Sequence, residues 1–128
     1  MEIAKKDIKT RTDLLVLLEE FYKKILADDS INYIFTKVAR LDIQSHIPVI
    51  ADFWETVVFQ TGHYQKNAMQ IHAELDKKST LTPHHFETWL TYFNETVDEL
   101  FEGDNAFLIK QRAASIATIM QIRIRQSN

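Results

Sequence analysis

Apolar residues recur at helical spacing in four long segments of the chain, and polar stretches separate these segments. In the first, from about Thr10 to Ala27, they follow the i, i+3, i+4, i+7 series of an amphipathic helix. The series consists of Leu14, Leu17, Leu18, Phe21 and Ile25. Thr10, followed three residues later by Asp13, resembles a capping box and predicts that the helix begins there.

The second segment runs from Ile43 to about Phe59, with Asp42 as its predicted cap. Pro48 lies within its first two turns and removes one backbone hydrogen bond, so we expect a loosened or kinked start near His46. The face predicted to be buried consists of His46, Val49, Ile50, Phe53, Trp54 and Val57. This face is heavily aromatic, and it includes a histidine.

The last two long segments have clear starts. Thr82 followed by Pro83 predicts a helix start, and Gly103 is the expected C-terminal cap of that helix. Its predicted apolar stripe is Phe86, Trp89, Leu90, Phe93, Val97, Leu100 and Phe101. Asp104 is the expected cap of the final helix. The predicted stripe of that helix is Ile109, Ala113, Ile116, Ala117, Met120 and Ile124.

Two shorter helices are predicted between the long ones. Asp28 to Ser30 could cap a short helix that carries Ile31, Ile34 and Phe35. Asn67 could cap a helix over Asn67–Leu75, whose inner face consists of Met69, His72 and Ala73.

Length and composition favour a single all-α domain over residues 1–128. A chain of 128 residues has the common size of one domain. It contains two glycines and two prolines. The tight turns of a β-sheet are hard to build with so few of these residues, whereas short polar connections between helices need none.

Charge and cysteine content narrow the partners and the compartment. A net charge of −3 provides no basic surface, so we expect neither nucleic acid nor a membrane as a partner. The absence of cysteine excludes thiolate catalysis and thiolate-bound metals. We find no signal peptide or bilayer-spanning apolar run in the sequence, and we therefore expect a cytoplasmic protein.

The sequence lacks the motifs of several common sites. It contains no phosphate-binding glycine loop, no Gly-x-Ser-x-Gly elbow and no His-Glu-x-x-His pair. No glutamate precedes a histidine by three residues, as carboxylate di-iron bundles require. The adjacent His84 and His85 point about 100° apart at the start of a helix, and we expect both to be solvent-exposed surface residues.

Two histidines, His46 and His72, remain on apolar faces of different helices, among many large aromatic side chains. Taken alone, His72 can be a core histidine or a ligand, and Tyr22 can be a core tyrosine or a hydrogen-bond donor that faces a cavity. A flat apolar cofactor with an axial metal position would use such a set, and haem is a cofactor of this kind.

The residue pattern resembles the group III truncated haemoglobins along nearly the whole chain. The matching strings are Phe21-Tyr22, Ile34-Phe35, His46-Ile-Pro-Val-Ile-Ala-Asp-Phe-Trp54, Tyr64-x-x-Asn67-Ala-Met-x-x-His72, His85-Phe86-x-x-Trp89-Leu-x-x-Phe93, Thr96-Val-Asp-Glu-Leu-Phe101 and Arg112-Ala-x-x-Ile-Ala117. The chain departs from the family pattern at Ile31-Asn32-Tyr33, where the family tends to have Gly-Pro, and at Lys66 and Ala68, where it favours Gly and Pro.

The resemblance implies a globin shortened to two helices stacked on two, with haem b as cofactor. By motif position, His72 resembles the proximal iron ligand, and Tyr22 and Trp89 resemble the distal residues that donate hydrogen bonds to bound ligand. His46 resembles the distal gate residue, which either points outward or swings in as a sixth iron ligand. The residues implied in lining the haem slot are Phe35, Ile50, Phe53, Trp54, Tyr64, Met69 and Phe93.

Three functions follow as hypotheses. The first is a haem catalyst that acts on nitric oxide or peroxide, like a nitric-oxide dioxygenase or a peroxidase. It would need a separate reductase, because the chain has no flavin or nicotinamide fingerprint. The second is a non-catalytic binder or sensor of dioxygen, nitric oxide, carbon monoxide or a similar ligand. The third is a cofactor-free helical interaction module.

Overall fold

The computed structural model describes residues 5–35, 42–60 and 82–127, the last five of these through their backbone only. Four long helices account for most of these residues. They are α1 (Arg11–Ala27), α2 (Ile43–Phe59), α3 (Pro83–Leu100) and α4 (Asp104–Ser127). No strand occurs in the described ranges, and the all-α prediction is confirmed. The predicted Asn67–Leu75 helix lies outside the described residues.

The four helices form a closed ring of contacts. Helix α1 packs against α2 and α3, and α4 packs against the same two helices. This is the arrangement of two helices stacked on two. None of the helices within the three described ranges has the length and apolar character that crossing a bilayer requires.

Helix α1 begins as its sequence predicts. The Thr10 hydroxyl accepts a hydrogen bond from the Asp13 N–H at 3.2 Å, and the Asp13 carboxylate accepts one from the Thr10 N–H at 3.1 Å. This reciprocal capping box satisfies two backbone donors that would otherwise lack partners. The apolar stripe is buried as predicted, with Leu14, Leu17, Leu18, Phe21 and Ile25 each at most 1% exposed.

Helix α2 begins after the predicted cap, and the Asp42 side chain accepts a hydrogen bond from the Gln44 N–H at 3.2 Å. The helix is unbroken through Pro48. The loosening expected near His46 therefore does not interrupt it. The Arg11 guanidinium donates to the Pro48 carbonyl at 3.2 Å, so a neighbouring helix supplies one polar contact at this point.

The buried face of α2 is rotated from the predicted one. Of the predicted stripe only Trp54 is fully buried, and the half-buried Ile50, Phe53 and Val57 pack at the edge of the core. The buried residues are instead Ile47, Ala51, Trp54, Glu55 and Val58. The aromatic pattern was a poor guide because α2 is apolar on two adjoining faces. The buried Glu55 is compensated by an ion pair with Arg11 of α1, which also binds Asp52 at 2.6 Å.

Helix α3 begins with the predicted Thr82 and Pro83, but the prediction that Gly103 caps its end is wrong. The helix ends at Leu100, and Phe101 is the C-terminal cap in extended conformation. Gly103 directly precedes α4 and has φ +138°, which favours glycine. A β-carbon at this position would lie 2.5 Å from the Asp7 Cγ, so the close approach of Asp7 also requires glycine here.

The side chain that caps α4 comes from the N-terminal segment of the chain. Asp104, the predicted cap, is the first helical residue of α4. The carboxylate of Asp7 accepts hydrogen bonds from the N–H groups of Asn105 and Ala106, at 3.0 and 2.9 Å. Burial raises the pKa of Asp7, but these bonds and one from Ile8 outweigh it and hold the pKa below its usual value.

Candidate functional site

Tyr22 of α1 lies at the centre of the described part of the site. It is 4% exposed, and its ring centroid lies 6.0 Å from that of Phe35 and 5.7 Å from that of His46. Burial raises the pKa of its hydroxyl, so the group stays protonated as a donor. Among the described residues this hydroxyl forms no hydrogen bond. The pocket thus holds a buried donor together with an imidazole and a phenyl ring.

A stack of aromatic rings lies on the other side of the site. The Trp89 ring of α3 stacks on Phe93 at a centroid distance of 5.5 Å and an angle of 10°. Phe93 in turn stacks on Trp54 of α2 at 5.2 Å, and Phe53 contacts Trp54 at 5.0 Å. Three of the predicted slot residues and one predicted distal donor therefore form one continuous aromatic wall between α2 and α3.

Phe21 joins the two sides, although the sequence had indicated it only as a core residue. Its ring lies 5.0 Å from Tyr22, 5.9 Å from Trp89 and 5.4 Å from Phe93. It is 1% exposed. Its packing sets the separation between the two predicted donors. The signal available in the sequence was its position next to Tyr22 on the buried face of α1.

The structure brings together only part of the predicted set. A network of ring contacts that runs through Phe21 links seven predicted site residues: Tyr22, Phe35, His46, Phe53, Trp54, Trp89 and Phe93. Ile50 packs at the edge of the same core. Phe35, His46, Ile50, Phe53 and Trp89 are half-buried. The predicted iron ligand His72, with Tyr64 and Met69, lies outside the described residues and stays a prediction.

One histidine differs from the prediction. His84 is exposed as expected, but His85 is only 8% exposed. Its Nδ1 accepts a hydrogen bond from the Thr82 N–H, and its Nε2 lies 3.0 Å from the Tyr33 hydroxyl. The prediction of a surface residue was wrong because it considered only the first turn of a helix in isolation. The helical turn at residues 31–35, where the sequence predicted a short helix, covers that position through Tyr33.

Comparisons with known proteins agree with the fold. No protein-family model matches the chain. The group 3 truncated haemoglobin ctb of Campylobacter jejuni is 27% identical over 108 residues, which cover 82% of this chain and 83% of the relative. The crystal structure of the group III truncated haemoglobin from Campylobacter jejuni matches with a TM-score of 0.83 and 25% identity, over 94% of each chain.

The four helices have the shortened, two-on-two helical fold of a truncated globin. Both relatives are group III truncated haemoglobins, and they confirm the resemblance predicted from the sequence. The class implies a haem cofactor. The described residues fit such a group, because the buried Tyr22 lies beside the half-buried Phe35 and His46, and its hydroxyl donates to no described residue.

Proposed function

We propose that this protein binds haem b through His72 and holds dioxygen or another small diatomic ligand on the side of Tyr22 and Trp89. The observation that carries the proposal is the buried Tyr22 side chain beside Phe35 and His46, whose hydroxyl donates to no described residue. A bound ligand that accepts a hydrogen bond from this hydroxyl would give the donor a partner in otherwise apolar surroundings.

Haem, when bound, supplies a metal position for the ligand, and the protein supplies the surroundings. Phe35, Ile50, Phe53, Trp54, Tyr64, Met69 and Phe93 are proposed to enclose the porphyrin. The Tyr22 hydroxyl and the Trp89 indole N–H are proposed to donate to the ligand, which carries partial negative charge. A hydrogen bond to a charged acceptor contributes about 1.5–3 kcal/mol, or about ten- to a hundredfold in dissociation rate. We therefore expect slow oxygen release.

His46 has two proposed states. Its ring stands beside Tyr22, so it either opens the ligand path or takes the sixth iron position. A low-spin spectrum in the ligand-free protein that becomes high-spin in His46→Ala would establish coordination. A high-spin wild-type spectrum would assign His46 to the gate.

Absorption spectra in the ferric, ferrous and carbon-monoxide forms test haem binding directly. We expect a Soret band in the wild type and changed iron coordination in His72→Ala. His84→Ala is the matched control, because His84 is an exposed histidine on another helix, and it should keep the wild-type spectrum. Unchanged coordination in His72→Ala would overturn the proposal. No Soret band after hemin is added would instead support a cofactor-free helical interaction module.

A catalytic reaction with nitric oxide or peroxide is a more specific function that the same proposed haem site could support. Slow oxygen release suits ligand capture or chemistry better than transport, and repeated turnover needs a separate reductase. The oxygenated protein should be mixed with nitric oxide in the presence of a reductase. Repeated turnover would identify a nitric-oxide dioxygenase-like enzyme, whereas a single turnover would identify a non-catalytic binder or sensor.

A further inference from the structure

His85 occupies the third position of α3, where a side chain can reach back to the helix cap. The His85 N–H donates to the Thr82 hydroxyl at 3.3 Å, and the Thr82 N–H donates to the His85 Nδ1 at 3.0 Å. These two bonds form a capping box in which histidine takes the place of the usual glutamate or glutamine. The cap orients the imidazole ring.

The cap also decides which ring nitrogen carries the proton. Nδ1 accepts a hydrogen bond and therefore has no proton in the neutral ring, so the proton lies on Nε2. Nε2 then donates to the Tyr33 hydroxyl oxygen at 3.0 Å. Burial, followed by the positive charge of His84, lowers the pKa of His85 below 6.5, so the ring is neutral at pH 7.

Tyr33 belongs to the turn at residues 31–35, which also carries Phe35 of the candidate pocket. Asp28, whose carbonyl accepts from the N–H groups of Ile31 and Asn32, forms a second bond to α3, since its carboxylate accepts from the Tyr92 hydroxyl at 2.6 Å. This bond, together with bonds from Ser30, lowers the pKa of Asp28 to about 2. His85 precedes Trp89 by one helical turn and Tyr92 follows it by another, so the two bonds bracket Trp89 on α3.

We propose that His85 is a positioning residue that, through Tyr33, fixes the turn at residues 31–35 and its Phe35 against the helix that carries Trp89. The inference rests on the proposed function, because Phe35 and Trp89 are both proposed to line the haem pocket. Phe35 contacts Tyr22 at 6.0 Å, so its displacement also changes the surroundings of the proposed distal donor.

Three variants of the full chain test the link. Tyr33→Phe removes only the hydroxyl. His85→Asn keeps an acceptor for the Thr82 N–H but is too short to reach Tyr33, and the third variant combines both changes. His84→Asn is the matched control on the exposed neighbour. The measurements are the infrared stretch of carbon monoxide bound to the haem-loaded protein, and the amide hydrogen exchange of Asn32 and Ile34.

We expect the carbon-monoxide band to shift or split in the same way in both single variants, and the double variant to show no larger change. Exchange of the two turn amides should accelerate about two- to tenfold, as expected for the loss of one hydrogen bond. His84→Asn should change both measurements less than either single variant, because it removes only an exposed contact with the Ser30 hydroxyl at 3.3 Å.

A wild-type carbon-monoxide band in either single variant would overturn the inference. An exchange rate in the double variant that rises by the product of the two single effects would also overturn it. A wild-type protein that binds no haem would instead remove the proposed function. The exchange measurement separates the two failures, because it tests the His85–Tyr33 link on the full chain without haem. Unchanged exchange in Tyr33→Phe would exclude the link.

Discussion

The beginnings of α2 and α3 each carry a histidine, and the two histidines differ in what they do for the helix. His85 is the third residue of α3, and its ring closes the capping box with Thr82. His46 is the fourth residue of α2, where the Asp42 side chain provides the cap. The two histidines thus differ by one position from the helix start. His85 accepts a hydrogen bond from the backbone of its helix cap, whereas His46 lies beside Tyr22. The sequence had instead predicted that His85 is a solvent-exposed surface residue.

The largest expected effect tests the pocket beside His46. Tyr22→Phe should accelerate oxygen dissociation about ten- to a hundredfold, because it removes a hydrogen bond to a charged acceptor. Stopped-flow measurement of oxygen release gives the rate. Carbon monoxide, which carries less charge when bound, is the control ligand and should be affected less. An unchanged oxygen rate would exclude Tyr22 from ligand stabilisation.

The start of α4 is a third case, in which a distant residue provides the cap. Asp7→Ala should lower the free energy of unfolding by about 1–2 kcal/mol, because the N–H groups of Asn105 and Ala106 lose their acceptor. Urea denaturation measures this loss. Asp104→Ala, which removes the residue that local sequence rules indicate as the cap, should cost less. Equal losses of unfolding free energy in the two variants would show that Asp7 stabilises α4 no more than Asp104 does.

The smallest effect is a pH dependence that distinguishes His85 from the exposed His84. The folded state lowers the pKa of His85, so the unfolded chain binds this proton first as the pH falls below about 6.5. The stabilisation is complete above that pH and is lost as the pH falls through the lower pKa of the folded state. Urea denaturation between pH 5 and pH 8, about one and a half units to either side of that value, should show a weaker slope of the unfolding free energy against pH in His85→Asn. His84→Asn removes only the smaller cause of the lowered pKa of His85, so its slope should lie between those of the wild type and His85→Asn. Equal slopes in all three proteins would contradict the assignment.

Local chemistry made the helix starts predictable. Thr10, Asp42 and Thr82 were correctly identified as caps because each acts on a backbone group within three residues along the chain. The buried stripe of α1 was predicted for the same reason, since helical periodicity is a property of neighbouring residues. Motif order also indicated the group III truncated haemoglobin resemblance, which the comparisons confirm.

The tertiary structure alone decided which of two apolar faces of α2 is buried, because the positions of α1 and α4 determine that choice. It also decided that Asp7, 98 residues before Asn105, caps α4, and that the turn at residues 31–35 buries His85. Local sequence rules describe what a residue can do for its own helix. Contacts between distant segments determine whether its side chain is covered, and by what, because they depend on how the helices pack in three dimensions.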